Sequence, residues 1–187
     1  MKKLIISSLF AIISASIYSQ SRIPLSVTED KELSKYVFNH INVYRATLPQ
    51  KPFIWTDFWY NSAKKWNNEI STTGVWEHNQ GKEWENFKGQ EMIVAVPIMS
   101  ETEDNYKFIA NTALTKWLQS KYHVSGIVAP RQERVGDTGT VQFGDINVSD
   151  VLLCKYGAIS VNIIKYPNYK IAYIVFQLGY YENSSSL

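Results

Sequence analysis

Tyr106-Lys107-Phe108-Ile109-Ala110-Asn111-Thr112-Ala113-Leu114-Thr115-Lys116-Trp117-Leu118-Gln119-Ser120-Lys121-Tyr122-His123 is the stretch on which the fold turns. Tyr106, Ile109, Ala110, Ala113, Leu114 and Trp117 recur at i, i+3, i+4, i+7, i+8 and i+11, the spacing of one apolar helical face. Ser100 and Glu103 just upstream form a capping-box pattern for its start. The spacing therefore predicts a helix whose inner face carries Trp117, with His123 following its end.

Upstream, the same period predicts two more helices. Thr28 stands as an N-cap before the acidic pair Glu29-Asp30, and Leu33, Val37, Ile41, Tyr44 and Leu48 form the first apolar stripe. Pro49 and Pro52 bracket the loop that ends it. Asp57 is the expected cap of a second helix with Tyr60, Ala63, Trp66 and Ile70 inward, stopping before Gly74. Downstream the period changes. Tyr156 to Ile164 and Lys170 to Tyr180 read as strands joined by the turn Tyr166-Pro167-Asn168-Tyr169, and Met92 to Ile98 as a third. Val135 to Asp150 is polar and reads as a long loop with at most a short strand. Helices early and a hairpin late argue for an α+β fold rather than alternating βαβ units.

The N-terminus bears on location. Lys2 and Lys3 precede a mostly apolar run from Leu4 to Ile17, broken by Ser7, Ser8, Ser14 and Ser16. The run is shorter than the roughly 20 residues a membrane span needs. It fits a secretory signal peptide, residues 1–19, with cleavage after Ser19 despite the large Ile17 at the −3 position. A buried N-terminal helix is the alternative for the same pattern. On the signal reading the protein is secreted or periplasmic, and no membrane span remains after cleavage. Residues 20–187 then form one domain with a core at about 30–181.

The chain has 19 Lys plus Arg against 17 Asp plus Glu; Lys2 and Lys3 leave with the signal, so the mature form is neutral. Lys64-Lys65 is its only adjacent basic pair, which argues against nucleic acid as a partner. Cys154 stands alone, so no internal disulfide is available, and its apolar setting reads as a small buried hydrophobe rather than a catalytic thiol.

Asn42-Val43-Tyr44-Arg45 on the first helix, Trp76-Glu77-His78, Gln90-Glu91-Met92-Ile93 and Trp117-Leu118-Gln119-Ser120-Lys121-Tyr122-His123 follow one another in that order. In that order they resemble the CAP superfamily (cysteine-rich secretory, antigen 5 and pathogenesis-related proteins), in its bacterial SCP-like branch. Asn42 and Arg45 match the family's Asn-x-x-Arg, His78 its following histidine, and Trp117, Ser120 and His123 the bacterial Trp-x-x-Ser-x-x-His. Phe58-Trp59 and Ala63 match its second helix loosely, and Phe176, Gln177 and Tyr180 its final hairpin. Of the family's Gly-Glu-Asn-Ile, only Glu91 and Ile93 survive, and Glu85-Asn86 offers a competing alignment; Glu91 is preferred because a strand follows it. The position of a second family glutamate is Ser120 here.

The resemblance implies a three-layer α-β-α sandwich with a small antiparallel sheet between helical layers. It also implies that His78, Glu91, Ser120 and His123 share one cleft, with Asn42, Arg45 and Trp117 in structural roles. Two imidazoles and a carboxylate are the ligand set of many open zinc sites, so His78, Glu91 and His123 are candidate ligands for zinc or another divalent metal. The bland alternative is a set of hydrogen-bonded cleft residues holding no metal.

No His-Glu-x-x-His helix, Gly-x-Ser-x-Gly elbow or phosphate loop supports a reaction. Ser120 beside His123 lacks the orienting acid and oxyanion hole a nucleophile needs. His40 reads as a partly exposed helix residue, and Arg45 as pairing with a carboxylate or backbone carbonyl inside the fold. The tryptophans read chiefly as core, with Trp76 and Trp84 as alternative walls of a carbohydrate or apolar groove. The expectation is a binding or interaction module rather than an enzyme, taking a small apolar, envelope or protein ligand. Its alternative is a metal-dependent hydrolase using His78, Glu91 and His123.

Overall fold

Residues 24–48, 50–79, 89–130, 138–180 and 182 are described by the computed structural model. The expectations for the signal segment, Pro49, Trp84, Glu85-Asn86 and the tail beyond Glu182 fall outside those residues.

The late Ile/Val-rich run forms the expected hairpin. Strands β6 (Tyr156–Lys165) and β7 (Lys170–Gly179) pair antiparallel from Lys165↔Lys170 to Tyr156↔Gly179. The turn is closed by Tyr166 N donating to Tyr169 O at 2.9 Å. β3 (Gly89–Ile98) pairs antiparallel with β7 from Gly89↔Gly179 to Ile98↔Lys170. Two short strands the sequence reading lacked, β1 (Ser26–Glu29) and β2 (Ile54–Trp55), pair with β6 antiparallel and parallel respectively. The order β1-β6-β7-β3 leaves β3 at one edge.

Because successive side chains alternate across a strand, the unbroken register sorts residues between two faces. Met92, Val94, Val96, Ile159, Val161, Ala172, Ile174 and Phe176 enter the main core. Three helices cover that core: α1 (Lys31–Thr47), α3 (Tyr106–Leu118) and α4 (Lys121–Val128). Phe38, Phe53 and Trp117 surround Phe176 with ring centroids at 6.0, 5.8 and 5.9 Å. On the other face α2 (Asp57–Thr73) packs Ala63 and Ile70 against Ile93 and Val175. The result is α+β, with helices on both sides of a largely antiparallel sheet.

Local chemistry moved several expected boundaries. Asp30, not Thr28, caps α1, accepting from Leu33 N at 2.8 Å, because Thr28 and Glu29 are held in β1. Thr56 rather than Asp57 caps α2, and Gly74 ends it at φ 71, a left-handed conformation glycine adopts without steric cost. Asn105 caps α3, accepting from Phe108 N at 2.8 Å; Ser100 and Glu103 instead close the preceding turn, where Met99 N donates to Glu103 Oε2 at 2.7 Å. The helix that carries Trp117 ends at Leu118, and His123 lies in the first turn of a separate helix, α4, rather than beyond a helix end. The expected polar loop contains a hairpin, β4 (Thr138–Phe143) and β5 (Ile146–Leu152), turned at Gly144 with φ 57.

Among its apolar contacts the interface beneath α2 also carries a buried polar network. Asn67 is fully buried and donates to Ser160 O at 2.8 Å and Tyr173 O at 2.9 Å, while Asn162 donates to Asn68 Oδ1 at 2.9 Å and Ser71 Oγ at 3.1 Å. Such amides fix the rotation of α2 on the sheet, because any other seating leaves them unpaired.

Candidate functional site

Glu91 stands near the start of β3, directly across from Gln177 of β7. By parity both share the face that carries Ile93 and Val175. The Glu91 side chain is only 6% exposed, and its oxygens are taken up. Oε1 meets His78 Nδ1 at 3.1 Å and accepts from the Asn79 backbone N at 2.9 Å, while Oε2 accepts from Gln177 Nε2 at 2.8 Å.

His78 arrives on the segment that follows α2, and its side chain is half exposed. His123 projects from the first turn of α4, in the opposite helical layer. The two rings nevertheless lie with centroids 6.3 Å apart and planes inclined at 56°. Edge position makes this meeting feasible: among the described residues β3 has no outer neighbour in its sheet, so residues from both layers can approach around it. Burial, and secondarily the neighbouring His78, hold the His123 pKa below the ordinary imidazole value.

His78, Glu91 and His123 are therefore gathered at one place. Ser120 is the N-cap residue of α4, three positions before His123, and its side chain makes no capping hydrogen bond. Among the described residues no three His, Cys, Asp or Glu side chains are grouped closely enough to hold a metal ion. Glu91 accepts from Asn79 and Gln177 and meets His78, a placement that orients the His78 ring. A metal here would have the two imidazoles as its protein ligands, with Glu91 fixing the tautomer of one.

The remaining expected residues stand behind this site. Asn42 donates to Phe53 O at 3.1 Å and accepts from Phe53 N at 2.8 Å, clipping the loop after α1. Arg45 is fully buried, at the helix position where the stripe suggested Tyr44. Its guanidinium donates to Lys51 O at 2.7 Å, to Ala129 O at 2.9 Å and to Ile127 O, and its Cζ lies 3.8 Å from the Phe53 ring centroid. Arg45 thus ties the C-terminal turn of α4 and the loop after α1 to α1 itself. Trp117 is 1% exposed beneath the main core. Trp76 corrects the core reading of the tryptophans: it is 42% exposed and packs edgewise on Tyr173 at 4.7 Å. His40 stacks on Tyr36 at the α1 surface. Burial pushes the Cys154 thiol up to about 12, the state of an inert core residue.

In the sequence pattern Gln177 stands only as part of the final hairpin. Its inward parity between Val175 and Gly179, on a strand otherwise buried and apolar, is the signal that it has a polar partner.

A family model described as the cysteine-rich secretory protein family, CAP, matches residues 38–156. No curated protein sequence matches the chain. Among solved structures, an outer surface protein from Borrelia burgdorferi is similar, with a TM-score of 0.51 and 14% sequence identity. The match covers 83% of this chain and 98% of that one, a likeness of fold.

Proposed function

The chain belongs to the CAP family, and on that premise we propose that it is an exported binding module whose ligand enters at the His78, Glu91 and His123 cleft. One observation carries this reading: a half-exposed imidazole is held by a carboxylate that is itself buried and fixed from two further sides. Precision of that kind is expected where a side chain must be presented to something. A neutral His78 that donates from Nδ1 to Glu91 offers its other nitrogen as a lone pair, with the His123 ring centroid 6.3 Å from its own. The ligand class is a small molecule with an apolar body and a polar head, since Trp76 and Val75 lie exposed just before His78 in the chain.

A metal-dependent hydrolase is the second reading, favoured by the two facing imidazoles. It requires a general base, and Glu91 would have to release a hydrogen bond to serve as one. Export rests on the N-terminal sequence pattern. It is supported by the fold shared with a bacterial outer surface protein, and among the described residues no helix is long and apolar enough to cross a membrane.

Three measurements test these readings. Decanoate and zinc chloride, titrated separately into the protein labelled with nitrogen-15, should shift the signals of His78, Asn79 and Lys121 to Val124 saturably, and His78→Ala should abolish the effect. A saturable shift with zinc chloride but none with decanoate, together with zinc-dependent turnover of 4-nitrophenyl acetate that His123→Ala removes, would replace the binding module with the hydrolase. N-terminal sequencing of exported material should begin at Gln20; an intact Met1-Lys2-Lys3 on the soluble product would overturn export.

A further inference from the structure

At the opposite end of the sheet from the His/Glu cleft lies a groove of about 370 Å³ between the β6–β7 turn and the segment following β3. Ile98↔Lys170 marks this end and Glu91↔Gln177 the other, seven pairings away, or about 23 Å along the strands. The two sites are therefore independent.

The groove combines flat rings with fixed polar groups. Tyr166 and Tyr169 stack with centroids 4.7 Å apart and planes within 17°, locked by the backbone bond that closes the turn. Lys170 pairs with Asp104 across the groove, joining its two walls. Among the described residues, no hydrogen bond or ion pair engages the side chains of Lys165 and Glu101, which line it from opposite walls. Asn168 and Ser100 add exposed amide and hydroxyl groups.

Each alternative ligand class meets an obstacle. A lipid tail would desolvate Lys165, Glu101 and the Lys170–Asp104 pair without replacing their hydrogen bonds. A polyanion would meet as many carboxylates as ammonium groups. A sugar suits both features, because its ring presents an apolar C–H face to an aromatic ring and a rim of hydroxyls to amides and charges. The volume is at the lower end of the range for ligand sites, which begins at about 300 Å³.

We propose that this groove is a second binding site, one for a short oligosaccharide segment, with an outer ring face of the stacked Tyr166–Tyr169 pair as the stacking wall and Glu101, Lys165 and Asn168 as the hydroxyl partners. The reading goes beyond the cleft and does not depend on it.

The test uses chitotriose and maltotriose as probes with the full exported chain labelled with nitrogen-15. At least one of the two should shift the amides of Met99 to Glu101 and Tyr166 to Lys170 saturably, at millimolar concentration or below. Tyr166→Ala should weaken that binding at least tenfold, and the surface change Glu101→Gln several-fold with the amide spectrum otherwise unchanged. His78→Ala should leave it as it is. If Tyr166→Ala unfolds the hairpin, Glu101→Gln and Asn168→Ala decide the matter, since both positions are exposed. No saturable shift with either sugar, shifts confined to the His78 region, or binding indifferent to Glu101→Gln and Asn168→Ala would overturn the proposal.

Discussion

His78 and Glu91 are joined Nδ1 to Oε1 at 3.1 Å, although the histidine side chain is 50% exposed and the glutamate only 6%. The buried partner is the fixed one. Asn79 N and Gln177 Nε2 hold the carboxylate from two further sides, so the exposed ring follows the geometry of the strand rather than of the solvent.

This relationship predicts the tautomer of His78. At pH above the imidazole range, the Nδ1–H form should dominate, because only that form donates to a carboxylate. Long-range proton–nitrogen spectra read the two nitrogens separately. Glu91→Ala should release the preference and also destabilise the fold by about 1–3 kcal/mol, since it leaves the Gln177 amide donor without its carboxylate. A ring that keeps the Nδ1–H form in Glu91→Ala would mean the carboxylate does not orient it.

Arg45 should be among the most costly residues to remove. It has no exposed surface and donates to the carbonyls of Lys51, Ile127 and Ala129. Arg45→Ala strands those acceptors, and breaking such a buried network should cost on the order of 3–5 kcal/mol. Arg45→Lys should recover only part of it, because an ammonium is a compact point and cannot span the fork. Urea unfolding checks both. A loss below about 1 kcal/mol for Arg45→Ala would mean that its hydrogen bonds do not hold the layer together.

Gly179 is the closing residue of β7, and a Cβ built on it would lie 1.9 Å from Trp59 Cζ2. Trp59 is 1% exposed and cannot swing away without opening the core. Gly179→Ala should therefore lower stability by about 1–3 kcal/mol, the usual cost of overpacking. Thermal melting measures it. An unchanged melting temperature would mean that Trp59 is not seated on the strand as described. The exposed tip is a contrast: nothing lies within 4 Å of a Cβ on Gly144, but its φ of 57 makes the substitution strained there for backbone reasons.

What the sequence disclosed followed the reach of its signals. Periods of 3.6 and 2 placed the three long helices and the three long strands, because each buries a whole face. Asp30, Thr56 and Asn105 displaced the expected caps because every start had several eligible side chains, and only pairing with β6 or the turn at Ser100 chose among them. The break at Ser120 was hidden by good helix formers on both sides. His78 and His123 were linked only through family likeness, since 45 positions separate them and nothing local records that β3 is an edge. The asparagine network under α2 escaped for a related reason: Asn67 and Asn162 look like surface residues until their partners across the interface are known.

The pH response of the His78 and His123 pair follows from His123. Burial is the first cause of its lowered pKa and the charge of His78 the second, so both oppose a proton on this ring. In the unfolded chain it titrates near 6.5, and in the folded protein lower. Between those two values the unfolded state binds more protons, so stability rises with pH there. The contribution is complete above the unfolded value and is lost as pH falls toward the folded one, below which it stays constant. Urea midpoints measured down through that window should fall with pH in the wild type and fall less in His123→Asn. Proton chemical shifts of His123 should titrate below 6.5. His78→Ala should move that titration part of the way back up, not all, because the burial remains. A His123 that titrates at or above its ordinary value, or that ignores the loss of His78, would separate the two imidazoles and with them the shared cleft.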